Sequence, residues 1–166
     1  MDAIFKRRSI RKYKPIKISE DMIENLLRAG MCAPSAVNQK PWEFIVIEDR
    51  ETLHTLADKH PYGKMLHNSP LCICVCAKMD LGDFKHFWPQ DCSAATENIL
   101  IEAQHLGLGA VWMGVYPVED LIMLAKETLK LPENIMPFSF ISIGYPDEEK
   151  RYHDRYDKEK VHYNKW

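Results

Sequence analysis

The chain has 166 residues, 22 of them Lys or Arg against 24 Asp or Glu, for a formal net charge of −2; 46% are hydrophobic. That length suits one domain with a full-sized core, which buries roughly two thirds of the surface its unfolded chain exposes. The near-neutral balance gives no support to nucleic acid as a partner. The longest apolar run, residues 71–77, is far too short to span a membrane.

The apolar start, Met1-Asp2-Ala3-Ile4-Phe5, predicts one or two helical turns. It is short, interrupted by Asp2 and followed by charge, unlike a secretory leader, so the expected location is the cytoplasm. Arg7-Arg8-Ser9-Ile10-Arg11 comes next. Three guanidinium forks and a hydroxyl within five residues can hold a doubly charged anion, phosphate first; the same residues also read as a solvated charge run. Ser19 is a predicted N-cap, with Glu20 and Asp21 favouring the positive helix end. Met22, Ile23, Leu26, Leu27 and Met31 then recur at helical spacing, and Pro34 stops the helix. The segment 34–41, with a proline at each end, reads as a structured loop in which Ser35, Asn38 and Gln39 offer donors and acceptors.

Residues 42–47 read as a strand and 50–59 as a short helix. The nearly continuous apolar run 71–77 predicts a strand covered on both faces. Cys72, Cys74 and Cys76 alternate along it and share one face as small core fillers; no histidine lies at convincing ligand spacing, so no metal is expected. Five cysteines, an odd number, do not read as a disulfide framework. Residues 87–106 hold the longest helix, predicted to begin near Asp91 and, being apolar on several faces, to run through the core. A strand at 110–115, a helix from 117–120 towards Leu129 and a last strand at 137–143 ending at Gly144 complete the pattern. The predicted fold class is α+β: three layers, helices flanking a small mixed central sheet, in a single domain 1–166 without repeats. The polar segment 147–166 carries Tyr152, Tyr156, Tyr163 and Trp166, whereas disordered tails are aromatic-poor. It is expected to lie as an extension along another surface, a second subunit.

No P-loop and no Gly-x-Gly-x-x-Gly are present. Polar groups cluster instead at Arg7 to Arg11, Ser35 to Gln39, Lys64, Trp112 to Gly114, and Arg151 with Arg155. Their convergence does not follow from the sequence. The order of several motifs is informative: Arg-Arg-Ser-Ile-Arg with Tyr13, the Ala33-Pro34-Ser35-Ala36-Val37-Asn38-Gln39-Lys40-Pro41-Trp42 entry, Lys64-Met65-Leu66, Gly109-Ala110-Val111-Trp112-Met113-Gly114, Ile143-Gly144-Tyr145-Pro146, and the ending from Arg155-Tyr156-Asp157 to Trp166. No one of them decides, but in this order, over nearly the whole chain, they resemble the FMN-dependent nitroreductase-like family.

The resemblance implies the nitroreductase-like three-layer fold, FMN as cofactor, and a homodimer with FMN sites at the interface. It places Arg7, Ser9 and Arg11 on the FMN phosphate and ribityl chain, Arg8 toward the ring edge and Arg155 closing on the phosphate, with Arg151 as a helper or a solvated tail charge. Ser35, Ala36 and Asn38 resemble the loop that a partner subunit lays against the flavin; many relatives carry serine where Ala36 stands, which keeps a backbone contact and loses a hydroxyl one. Gln39 serves either the flavin or its own loop. Lys64 resembles the cation near N1 and O2 that favours reduced flavin. Gly114 matches the position whose backbone N–H approaches N5, close approach being possible without a side chain. Trp112 and Met113 line the dimethylbenzene side or fill core.

The implied activity is an FMN-dependent NAD(P)H oxidoreductase: NADH or NADPH reduces the flavin at N5, leaves, and a nitroaromatic, quinone or activated double bond takes the electrons, a ping-pong cycle. The cofactor does the chemistry, so no catalytic side chain is expected. Residues 78–88 stand where many relatives carry a longer excursion over the site, with Phe84, Phe87 and Trp88 as acceptor contacts or core anchors and His86 as a substrate-orienting or solvated group. The alternatives are a flavin-binding sensor or redox-inert dimer, a specialised flavin dehydrogenase or dehalogenase, a ferredoxin-like donor in place of nicotinamide, and a thiol-based redox protein using Cys32 or Cys92.

Overall fold

The computed structural model describes residues 2–80, 82–151 and 153–166; Met1 of the apolar start, Leu81 of the short excursion and Tyr152 of the tail lie outside the described residues. One sheet of four strands runs through it in the order β1-β2-β4-β3, formed by β1 (Trp42–Ile47), β2 (Leu71–Lys78), β3 (Gly109–Gly114) and β4 (Ile135–Gly144). All three pairings are antiparallel. The sheet is mixed only through an isolated bridge, in which Ser9 of the N-terminal arm runs parallel beside Ala110 on the outer edge of β3.

The helices are α1 (Asp2–Lys6), α2 (Glu20–Met31), α3 (Arg50–Lys59), α4 (Trp88–His105) and α5 (Glu119–Leu129). Their starts follow local chemistry. The Ser19 hydroxyl accepts the Met22 N–H, and the Asp49 carboxylate accepts the Thr52 N–H at 2.8 Å. Two boundaries differ from expectation. α2 ends at Met31, short of Pro34: the Ala33 N–H turns back to the Gly30 carbonyl, and a residue before proline disfavours helical torsions. α4 begins at Trp88 rather than near Asp91, because Pro89 falls in the first turn, where a missing N–H costs nothing.

β2 lies inside the sheet, and Leu71 to Ala77 are all buried. Leu71, Ile73, Val75 and Ala77 face α2 and α4, packing with Leu26, Ala95 and Ile99. Cys72, Cys74 and Cys76 face the opposite way, with Leu53 and Leu56 of α3, Ile122 and Ala125 of α5, and Phe140. The shared cysteine face is thus core. Burial pushes the Cys72, Cys74 and Cys92 thiols up, so they stay protonated, which removes Cys92 as a nucleophile; Cys32 is exposed at the end of α2.

The arm after α1 docks across the ends of β3 and β4. The Ile10 N–H donates to the Ala110 carbonyl at 3.0 Å, and the buried Tyr13 hydroxyl donates to the Ile10 carbonyl at 2.6 Å. Gly109 and Gly144 face each other in the ladder beneath it. A Cβ on Gly109 would stand 2.6 Å from Ile10 Cγ2, and one on Gly144 would stand 2.7 Å from Tyr13 Cδ1. The Glu148 carboxylate then accepts the Arg11 N–H at 2.6 Å and the Lys12 N–H at 3.3 Å, clamping the arm to the segment after β4. Burial opposes its ionisation, but those two donors and the Lys150 ammonium hold its carboxyl below the usual range. Replacing Gly144 by Ala should lower the unfolding free energy by about 1–3 kcal/mol, since both the Tyr13 and Pro70 rings resist displacement. Urea denaturation tests this against Gly82→Ala, where a Cβ meets open space and stability should not change.

Candidate active site

The arm and the tail build one cleft. Ile4, Phe5, Arg7 and Arg8 from the first residues meet His153, Asp154, Arg155 and Tyr156 around a space of about 310 Å³. Arg8 stitches the two ends together: its Nη1 donates to the Phe5 and Arg7 carbonyls, both at 2.7 Å, and its Nε to the Arg151 carbonyl at 3.2 Å. Arg151 therefore enters through its backbone. Arg7 lies 3.3 Å from Glu97 of α4 and keeps 22% of its side-chain surface exposed. Ser9 is half-buried on the β3 edge, and the Arg11 side chain is exposed while its N–H is held by Glu148. Three guanidinium groups around one cleft, opposed there by Asp154, make a donor set that fits a phosphate monoester.

β3 is an edge strand. Val115 donates its N–H to the Phe138 carbonyl, so by ladder alternation the odd residues of β3 turn their backbone groups to β4 and the even ones turn them outward. The Ala110 carbonyl, which takes the Ile10 N–H, obeys this rule. Gly114 also points outward, is exposed, and has open space where a Cβ would stand. Four residues of strand separate it from Ala110 beside Ser9, about 13 Å at ~3.3 Å per residue. A ribityl phosphate can bridge that span, so the arginine cleft and the Gly114 edge suit the two ends of FMN. Lys64, exposed, opens a 3-10 turn just after Gly63. Trp112 is half-buried against Phe138, ring centres 5.7 Å apart. Met113 is buried on the α3 and α5 side, so of its two expected roles it fills core.

The 35–40 loop is held by the first turn of α4. Val37, Asn38 and Lys40 have φ of 45°, 58° and 47°. Such left-handed torsions cost about 1–3 kcal/mol each and persist only where the surroundings hold them. The holder is Asp91, a buried carboxylate in the first turn of α4, which accepts the Ala36 N–H at 2.9 Å and the Gln39 Nε2–H at 2.7 Å. Gln39 thus pins its own loop, and its Nε2 also lies 3.4 Å from the Phe84 carbonyl of the short excursion. The Ser35 hydroxyl accepts the Lys40 N–H at 2.9 Å. Val37 and Asn38 are left facing solvent. In the excursion Trp88 is buried against Tyr116 and Phe138 as an anchor, while Phe84, His86 and Phe87 are exposed.

Two residues absent from the sequence-based site matter here. Asp91 is one; its signal was a carboxylate among the core-facing positions Cys92, Ala95 and Ile99 of α4. The other is His60, buried at the end of α3, with Nε2 3.0 Å from the Gly114 carbonyl.

The sequence profile of the Nitroreductase family matches residues 4–60 and 53–145. The chain belongs to the nitroreductase family. A protein of Methanothermobacter thermautotrophicus, provisionally named NADH dehydrogenase/NAD(P)H nitroreductase, is 46% identical over 166 residues, covering 100% of this chain and 87% of its own. The crystal structure of a provisional NADH oxidase from Clostridium acetobutylicum superposes with a TM-score of 0.96 at 47% identity, over 99% of this chain and 100% of that one. A provisional nitroreductase from Desulfovibrio desulfuricans, solved in complex with FMN, gives 0.84 at 30% identity, over 96% and 93%. No helix among the described residues is long and apolar enough to cross a membrane. Asp91→Asn places an amide donor against the Ala36 N–H or the Gln39 amide and should cost about 1.5–3 kcal/mol in unfolding free energy. Hydrogen exchange at Ala36 should quicken; unchanged exchange there removes Asp91 from the role of loop holder.

Proposed function

We propose that this chain is an FMN-dependent oxidoreductase that takes electrons from NADH or NADPH and passes them to a small acceptor, a nitroaromatic or a quinone, in two half-reactions. The observation that carries the reading is the convergence of Arg7, Arg8 and Arg155 on one cleft at the end of the open β3 edge that leads to Gly114. When bound, FMN supplies the two-electron carrier. The chain supplies the rest. Arg7, Arg8 and Arg155 hold the phosphate by charge-assisted bonds, with Ser9 and Arg11 beside the ribityl chain. Gly114 would offer its outward backbone N–H to the reactive part of the ring, with no side chain in the way. Lys64 puts a cation at the pyrimidine end, where it stabilises the negative charge of the reduced ring. A bound flavin would let a donor and an acceptor react in turn at one site, the ping-pong order of this reading.

The working unit in this reading is a homodimer with two interfacial sites. Two features support it. The 35–40 loop is bent at a cost in torsional energy to present Val37 and Asn38 to solvent, and it does not line its own arginine cleft. The tail leaves Tyr156, Tyr163 and Trp166 exposed, and α1 leaves Ile4 and Phe5 exposed, more apolar surface than a chain end carries alone. A second copy that packs the 147–166 extension against itself receives the loop of the first at its flavin.

Anaerobic absorbance titration of the FMN-loaded protein with NADH and NADPH should bleach the flavin band at about one donor equivalent per flavin. Bound FMN that neither donor bleaches would turn the reading to a flavin-binding sensor, and failure to bind FMN would overturn it. In a second measurement, Arg7→Ala and Arg155→Ala should each weaken FMN retention more than Lys64→Met does, whereas Lys64→Met should lower the flavin reduction potential. Equal retention in all three variants would take the phosphate away from the arginine cleft.

A further inference from the structure

His60 is buried and polar, and the proposed chemistry does not use it. Its ring sits edge-on to Phe140 and Tyr62, with centres 6.2 and 6.4 Å away, where a phenylalanine would fill the space as well. The imidazole is instead bonded at both nitrogens. The Tyr62 backbone N–H lies 3.2 Å from Nδ1, and the Gly114 carbonyl lies 3.0 Å from Nε2. An amide N–H only donates and a carbonyl only accepts, so Nδ1 is the acceptor and Nε2 carries the proton. One tautomer satisfies both partners.

The two partners belong to two different parts of the site. Tyr62 lies in the turn that delivers Lys64, and that turn is folded closely on His60. The Gly63 N–H donates to the His60 carbonyl at 2.9 Å, and a Cβ on Gly63 would stand 2.9 Å from His60 Cβ and 2.8 Å from the Leu56 carbonyl oxygen. Gly114 lies at the end of the open strand. Glycine there has no side chain to set its torsions. Val115 is tied to β4 through its N–H, and Met113 pairs with Phe140. The outward Gly114 carbonyl has no strand on its side, and His60 holds it.

We propose that His60 is a positioning residue that sets both flanks of the flavin ring at once: it orients the Gly114 peptide through Nε2 and seats the Lys64 turn through Nδ1. The inference rests on the flavin reading above. One side chain then coordinates the N–H offered at N5 with the cation offered at the pyrimidine edge, although neither group touches the other. Its removal leaves the arginine cleft intact but loosens the two groups that tune the ring.

The test uses the FMN-loaded protein with His60→Phe, His60→Gln and His60→Asn. Phenylalanine keeps the ring volume and loses both bonds. Glutamine places an amide donor near the Nε2 position, and asparagine places an acceptor near Nδ1 without reaching Gly114. For His60→Phe the expected result is FMN retention within about threefold of the parent, a flavin potential displaced in the same direction as in Lys64→Met, and reduction by NAD(P)H slowed about tenfold or more, as small misplacements next to reacting atoms do. His60→Gln should recover most of the rate, and His60→Asn should not. Adding Lys64→Met to His60→Phe should displace the potential by less than the sum of the two single changes, because the lysine has already lost its seat. If His60→Phe does not fold, the Gln and Asn pair carries the comparison.

An FMN-loaded His60→Phe protein with the parent potential and parent reduction rate would overturn the proposal while leaving the flavin reading intact. Equal losses in Gln, Asn and Phe that follow their melting temperatures would also overturn it, reducing His60 to a core residue. A parent protein that binds no FMN would remove the flavin reading, and this one with it.

Discussion

The site depends on a contact that involves no functional side chain: Ile10 and Tyr13 resting on the paired glycines Gly109 and Gly144. An arm of this kind has no periodic hydrogen bonding of its own to hold it. It is fixed by two large side chains laid where the sheet has no Cβ atoms, by the Ile10 bond to Ala110, and by Glu148 gripping the Arg11 and Lys12 amides. Dispersion falls off steeply with a gap of even half an ångström, so the fit requires the bare backbone below. With the arm seated, Arg7 and Arg8 can go only to the end of the β3 edge, where the tail meets them.

α4 performs the second task of placement. It crosses the sheet face as part of the core, yet two of its residues carry charge to opposite clients. Asp91 in the first turn grips the 35–40 loop, and Glu97, about 9 Å further along at ~1.5 Å per residue, pairs with Arg7. A buried carboxylate is costly unless its oxygens are satisfied, and Asp91 has one donor on each. The helix therefore ties the strained loop to one end of its length and Arg7 to a point about two turns further along.

Where local chemistry decided, the sequence was readable. The helix at Arg50–Lys59 and the strand at Trp42–Ile47 were placed to the residue, because the Asp49 cap and a short apolar run are written into adjacent positions. The seven buried residues of β2 announced a strand covered on both sides. The range 87–106 contains α4, whose start at Trp88 lies a few residues before Asp91 because Pro89 is accommodated in the first turn. The direction of each strand pairing leaves no local trace in the sequence and is read only from the structure. The site divides in the same way. Arginine clustering at the N-terminus was legible, but its meeting with Arg155 is a product of the whole fold. Asp91 and His60 escaped because their partners, Ala36 and Gly114, are reached through backbone atoms, which no residue pattern marks.

The cleft that joins Arg7 and Arg8 to Arg155 has a consequence for the order in which the protein comes into being. Arg7 and Arg8 leave the ribosome before any strand of the three-layer body is made, and Arg155 leaves it after the last of them. Until Arg155 is made the arm is a cationic segment without its counterpart, resting on Gly109 only once β3 exists and on Gly144 only once β4 does. The body must therefore be able to form its sheet before the two sides of the cleft can meet.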